Sequence, residues 1–159
     1  MKPVQSVAIT LATWFGAGFS PKAPGTCGTA LAIPFYLLIA GFPWWLYAVT
    51  VVGLTAVGTW AAKITGDRYG EVDCQKIVID EVVGYLITMS LVAPSAWTVI
   101  GGFVLFRLFD ITKPFPVGYV DRNVKNAFGV MLDDILAGVY ACASLYLLNA
   151  LMISRALNF

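Results

Sequence analysis

Apolar residues run along this chain in blocks, separated by two polar stretches and two uncharged turns. Residues 4–15 are apolar but short for a bilayer crossing, and they predict an interfacial or partly inserted helix. Residues 29–41 form an apolar segment holding Pro34, and GFPWW (41–45) follows as an uncharged turn with interfacial tryptophans. Residues 44–64 supply about the 20 apolar positions that a crossing requires. Residues 77–93 and 95–109 are further apolar segments joined by the uncharged APSA, and 130–153 is the last long run. The stretch FGAGFSPKAPGTCGT (15–29) cannot be regular helix throughout, because Pro21 and Pro24 remove backbone donors and its glycines favour open turns. The polar connections are KITGDRYGEVDCQK (63–76) and DITKPFPVGYVDRNVKN (110–126). The pattern predicts an all-α, helical integral membrane protein with about five membrane segments, some short or re-entrant. An N-terminal interfacial helix precedes them, in a single domain spanning 1–159.

Composition sharpens this reading. The chain is 59% hydrophobic and 12% charged, with a mean hydropathy of +0.81, whereas a soluble domain carries about 25% charged residues. The net charge of +1 gives no reason to expect nucleic acid. Lys2 is the only early charge and no cleavage pattern follows the first apolar run, so no secretory signal peptide is expected. The basic residues Lys22, Lys63, Arg68, Lys76, Lys113, Arg122 and Lys125 fall in alternate connections, while the turns at 41–45 and 93–96 carry no charge. Positive loops face the cytoplasm, which sets the expected orientation.

The chemistry is narrowed by what is missing. There is no histidine, and Cys27, Cys74 and Cys142 show no metal-binding spacing. Any metal must therefore be held by oxygen, which suits magnesium, manganese or calcium.

Two pairs of carboxylates interrupt apolar runs: Asp80 and Glu81 in IVIDEVVGYL (77–86), then Asp133 and Asp134 in VMLDDILAGVY (130–140). One carboxylate at a bilayer centre costs roughly 2.5–3.5 kcal/mol, so neither pair can face lipid. Each pair lies near the start of its segment, where the helix dipole favours negative charge. Neighbours on a helix point about 100° apart, so helices bearing such pairs can pool three or four acids around one cavity. A divalent cation neutralises such a pool; without it the acids repel or take up protons. Gly84 after Asp80 and Gly138 after Asp134 allow close helix approach, as ordinary packing also does. FRLFDITKPFP (106–116) adds Arg107 and Asp110 on one helical face and Lys113 at the helix exit. Acids for a metal beside fixed cations for an anion are what phosphoryl transfer demands. The loop at 20–29 offers backbone donors, Ser20, Lys22, Thr26 and Thr29 as a phosphate cradle, though it is not a Walker loop.

Four blocks together resemble the phosphatidylglycerophosphatase A family of bacterial membrane lipid phosphatases. They are SPKAPGTCGT (20–29), DCQKIVIDEVVG (73–84), FRLFDITKPFP (106–116) with YVDRN (119–123), and GVMLDDILAGV (129–139). Thr29 stands where the family suggests Ser, and Lys125–Asn126 where a His-Gly pair is familiar. The resemblance implies magnesium-dependent hydrolysis of phosphatidylglycerophosphate to phosphatidylglycerol and phosphate in the bacterial inner membrane, and the loop charges put the expected site at its cytoplasmic face. The expected partners are that phospholipid and the bilayer. It implies catalytic roles for Asp80, Glu81, Arg107, Asp110, Lys113, Asp133 and Asp134. Asp80, Glu81, Asp133 and Asp134 are the expected metal ligands, and Ser20, Lys22, Thr26, Arg107 and Lys113 the expected phosphate contacts. Direct attack by water is favoured over an aspartyl-phosphate, because the Asp-x-Asp-x-Thr string of the haloacid dehalogenase phosphatases is absent. A histidine-type lipid phosphatase is excluded, and the Asp-Gly and Ala-Arg elements of a CDP-alcohol phosphotransferase are missing. An ion-coupled transporter would explain buried acids as relays, but not Arg107, Lys113 and the loop on the same side.

Overall fold

Prolines mark where most of the helices begin. The structure, a computed structural model, describes residues 2–157, with side chains to 155. Helix α1 (Pro3–Ala12) and helix α2 (Pro24–Ile39) carry a proline at their first position, where its missing N–H would be unpaired anyway. Pro43 leads into α3 (Trp44–Tyr69) and Pro116 into α6 (Val117–Asn123). Helix α4 spans Ile79–Met89, and α5 (Ala96–Thr112) starts from a capping box. In that box Ser95 Oγ accepts from the Thr98 amide and Thr98 Oγ1 accepts from the Ser95 amide. Helix α7 (Ala127–Leu157) closes the chain. No strand occurs among the described residues.

Several boundaries differ from the sequence pattern, α2 beginning already at Pro24 and α7 at Ala127. Helix α3 continues past residue 64 to Tyr69, because its polar last turns still favour helix and the first stop is Gly70, at φ 77°. Helix α4 begins only at Ile79, since the Val78 amide is bonded to the Ala12 carbonyl at 2.9 Å. The expected loop at 110–126 contains α6.

Helix α4 is the centre of the bundle. Ile79, Val82, Val83, Tyr85 and Leu86 are fully buried, against α2, α3, α5 and α7. Gly84 on α4 meets Gly138 on α7, where an added Cβ at 138 would lie 2.5 Å from the Gly84 carbonyl oxygen. A Cβ at Gly84 would strike the Phe106 ring and sit 2.8 Å from the Asp134 carbonyl oxygen. Thr88 Oγ1 adds a hydrogen bond to the Gly84 carbonyl at 2.9 Å. Asp80 and Asp134 each lie four residues before these glycines, so the close crossing sets the two acids side by side. Gly138→Val is therefore expected to destabilise the fold by about 1–3 kcal/mol through overpacking. A thermal midpoint equal to that of Gly41→Ala, a site with no atom within 4 Å of the added carbon, would refute this contact.

Helices α2, α4 and α7 start at one end of the bundle, where α3 and α5 finish, and the charges gather there. The opposite end carries Trp44, Trp45 and Trp97, all exposed. Two helices, α3 and α7 over Ala127–Arg155, are long and apolar enough to cross a membrane. Only 17% and 28% of their most apolar windows are buried inside the protein, unlike the core helices of a soluble domain. The other segments of the expected five are shorter than that.

Candidate active site

The site is built where helix ends converge. Helix α4 opens with Asp80 and Glu81 in its first turn, and α7 supplies Asp133 and Asp134 two turns from its start. Helix α5 arrives from the other direction with Arg107 and Asp110, and Lys113 is the residue that ends it. These seven side chains line one cleft of about 440 Å³, with Gly25 at the start of α2 and Asp73 and Gln75 from the loop before α4. Within it, Asp80, Glu81 and Asp134 each present a carboxylate oxygen, all within 4.8 Å of one another. Asp80 and Asp134 are 8% and 4% exposed.

The two acidic pairs share a local geometry. Asp80 Oδ1 accepts the Glu81 amide at 3.0 Å, and Asp133 Oδ1 accepts the Asp134 amide at 3.1 Å. Asp133 differs in its second oxygen, which accepts from Lys113 Nζ at 2.7 Å. The same ammonium donates to Asp121 Oδ1 at 2.6 Å. Burial works to lower the Lys113 pKa, but hydrogen bonds and charge from Asp121 and Asp133 outweigh it, leaving it above the usual lysine range. The hydrogen bond from Lys113 holds the Asp121 carboxyl below its ordinary value.

Arg107 sits between two acids without being satisfied by them. Its Nη1 is 2.5 Å from Asp110 Oδ2 and 3.7 Å from Glu81 Oε1. These are close charge contacts, yet buried Nη1 and Nε donate no well-aligned hydrogen bond, and Glu81 Oε2 accepts none. A spare donor, Nε, and a spare acceptor, Glu81 Oε2, thus lie in one cleft. Helix α2 begins so close that a Cβ at Gly25 would meet Glu81 Oε1 and come within 3.0 Å of Arg107 Nη1.

The residues expected from the 20–29 loop are placed differently. Ser20, Lys22 and Thr26 do not line the cleft; the loop presents Ala23, Pro24 and Gly25 to it. Ser20 Oγ donates to the Lys22 carbonyl at 2.9 Å, and buried Thr29 donates to the Gly25 carbonyl at 2.9 Å. The stretch winds into a helix from Pro24, turning those hydroxyls back onto its own backbone. Asp73, Gln75, Gly25 and Asp121 were not singled out by sequence reasoning. All four lie in the DCQK, YVDRN and SPKAPGTCGT blocks, where only the overall resemblance marked them.

Comparison with known proteins settles the family. A model described as phosphatidylglycerophosphatase A matches residues 10–149. The chain belongs to the phosphatidylglycerophosphatase A family. A phosphatidylglycerophosphatase A of Escherichia coli K12 is 41% identical over 140 residues, covering 87% of this chain and 81% of the relative. That of Haemophilus influenzae Rd is 36% identical over 133 residues, 82% of each. A Bacteroides thetaiotaomicron protein, provisionally named a phosphatidylinositol-3-phosphatase, is 41% identical over 154 residues, 89% of this chain and 92% of the relative. No solved structure matches. As a member of the phosphatidylglycerophosphatase A family this chain is an enzyme, a phosphatase, and the transporter reading is not favoured.

The donor set suits a hard divalent cation. The converging atoms of Asp80, Glu81 and Asp134 are all carboxylate oxygens, and one Glu81 oxygen has no other partner. Asp133 stands beside this group with both oxygens engaged.

Proposed function

We propose that the protein hydrolyses the terminal phosphate monoester of phosphatidylglycerophosphate, with magnesium held by Asp80, Glu81 and Asp134 and with Asp133 at their margin. The observation that carries this is the pairing, in one cleft, of the unpartnered Arg107 Nε donor with the unpartnered Glu81 Oε2. The first fits an anion and the second a cation, and a phosphate monoester with its divalent ion supplies both. The headgroup identity is taken from the names of the Escherichia coli and Haemophilus influenzae relatives. Magnesium, when bound, would neutralise phosphate charge and favour loss of a proton from water.

The protein's own groups account for the rest. Arg107 binds two phosphate oxygens through Nε and the neighbouring Nη2, the parallel donors of its guanidinium, with Asp110 holding Nη1 in place. Lys113 Nζ binds a third. Water attacks phosphorus, the new P–O bond forms as the bond to the glycerol oxygen breaks, and one water proton passes to that oxygen. Turnover in oxygen-18 water checks the step. One heavy oxygen is expected in the released phosphate, and a phosphoryl group trapped on Asp80, Asp133 or Asp134 by acid quench would overturn it. Comparing phosphatidylglycerophosphate with phosphatidylinositol-3-phosphate tests the substrate, the first being expected to show the higher kcat/KM.

The proposed setting is the bacterial inner membrane, crossed several times, with α2, α4 and α5 as short segments and the cleft facing the cytoplasm. Basic residues at the cleft end and tryptophans at the other support this orientation. Asn123→Cys and Gly41→Cys, both exposed, report on it in a background lacking Cys27. An impermeant thiol reagent on intact cells is expected to label position 41 alone; labelling of 123 instead would reverse the topology.

A further inference from the structure

Lys113 is held from two sides, by α6 and by α7. Its backbone is in the left-handed region at φ 43°, which a residue with a side chain adopts only when its surroundings enforce it. The enforcing parts are local. A Cβ at Gly118 would lie 2.6 Å from the Lys113 carbonyl oxygen, so α6 docks directly onto this peptide. Tyr140 on α7 donates to the Phe115 carbonyl at 3.0 Å and ties the connection between them. The result places Asp121 of α6 and Asp133 of α7 on the same ammonium, at 2.6 and 2.7 Å.

We propose that Asp121 is a positioning residue: with Asp133 it fixes two of the three N–H bonds of Lys113 and so aims the third at the substrate phosphate. An ammonium has three donors and no acceptor, on a long flexible stem, and is ordinarily a poorly directed point charge. Two carboxylates fix its rotation, leaving one direction for the last donor, and Lys113 lines the phosphate cleft. The geometry is preorganised before substrate arrives. Stability alone is a weak explanation of the arrangement: the Lys113 and Asp121 side chains are 31% and 25% exposed, and ion pairs this exposed contribute little to folding.

The proposal rests on the phosphate-binding reading of the cleft, and its test separates the two. Wild type, Asp121→Asn, Lys113→Met and the double variant are compared, as full chains in detergent with magnesium present. Inorganic phosphate binding is measured by calorimetry, and kcat and KM on phosphatidylglycerophosphate in parallel. Asp121→Asn is expected to weaken phosphate about tenfold and to raise KM more than it lowers kcat, as loss of one directed charge-assisted hydrogen bond does. In the Lys113→Met background the same change is expected to have no further effect, whereas with Lys113 in place Asp121→Glu is expected to recover part of the loss. Asp121→Ser stands in for Asn should that variant misfold. Equal losses from Asp121→Asn with and without Lys113, phosphate affinity unchanged in Asp121→Asn, or no phosphate binding by wild type would each overturn the proposal. Phosphate binding with the expected coupling, but no turnover of the lipid, would uphold the positioning role and sink the substrate assignment instead.

Discussion

Asp134→Asn is expected to lower kcat by about 10²–10³-fold or more while making the metal-free protein more resistant to heat. The two effects have one cause. Asp80, Glu81 and Asp134 converge within 4.8 Å, and the nearest guanidinium is shared between Glu81 and Asp110. Two like charges at that separation repel by roughly 3–4 kcal/mol at an effective dielectric of 20. Removing one charge relieves the repulsion and also removes an oxygen ligand at a position that is 4% exposed. The metal response should disappear together with the activity. In wild type, magnesium at a hundred times its dissociation constant should stabilise by about 2.7 kcal/mol, reversed by EDTA. Asp134→Asn should show little of that shift in a thermal melt. A wild type indifferent to both magnesium and EDTA, or an Asn variant of normal activity, would remove the metal from the site.

The acidic pairs were legible in the sequence because their surroundings are so apolar. Asp80, Glu81, Asp133 and Asp134 stand out against runs of Val, Ile and Leu, and the cost of burying them forces them to meet. The glycines four residues on were ambiguous from spacing alone, and only the contact between Gly84 and Gly138 shows the crossing that joins the acids. How the four carboxylates divide was not legible. Asp133 and Asp134 are neighbours, yet one faces Lys113 and the other faces Asp80 and Glu81, a difference set by where α5 ends. Hydroxyls of the 20–29 loop were misleading for a related reason. Gly, Pro, Ser and Thr mark an open loop and a helix start equally well, and Pro24 makes this one a helix start. The extent of α3 and the presence of α6 were hidden because polarity was read as loop, whereas it marks the bundle's charged end.

Arg107→Lys is expected to keep the fold and lose about 10²–10³-fold in kcat/KM, which separates fork geometry from charge. A lysine here retains one positive charge between Glu81 and Asp110. It cannot present two parallel N–H donors to a phosphate, and it lacks Nε, the buried donor that has no partner in the protein. Arg107→Ala is a different experiment. It leaves Glu81 and Asp110, whose side chains are only 14% and 13% exposed, facing each other without a cation. Breaking a buried ion pair in that way costs about 3–5 kcal/mol of stability, so lost activity in the Ala variant would not report on catalysis alone. The lysine variant avoids that ambiguity. Its thermal midpoint should stay near wild type. Near-normal kcat/KM in Arg107→Lys would mean that Arg107 serves only to neutralise Glu81 and Asp110, and the phosphate clamp would then have to be assigned to Lys113.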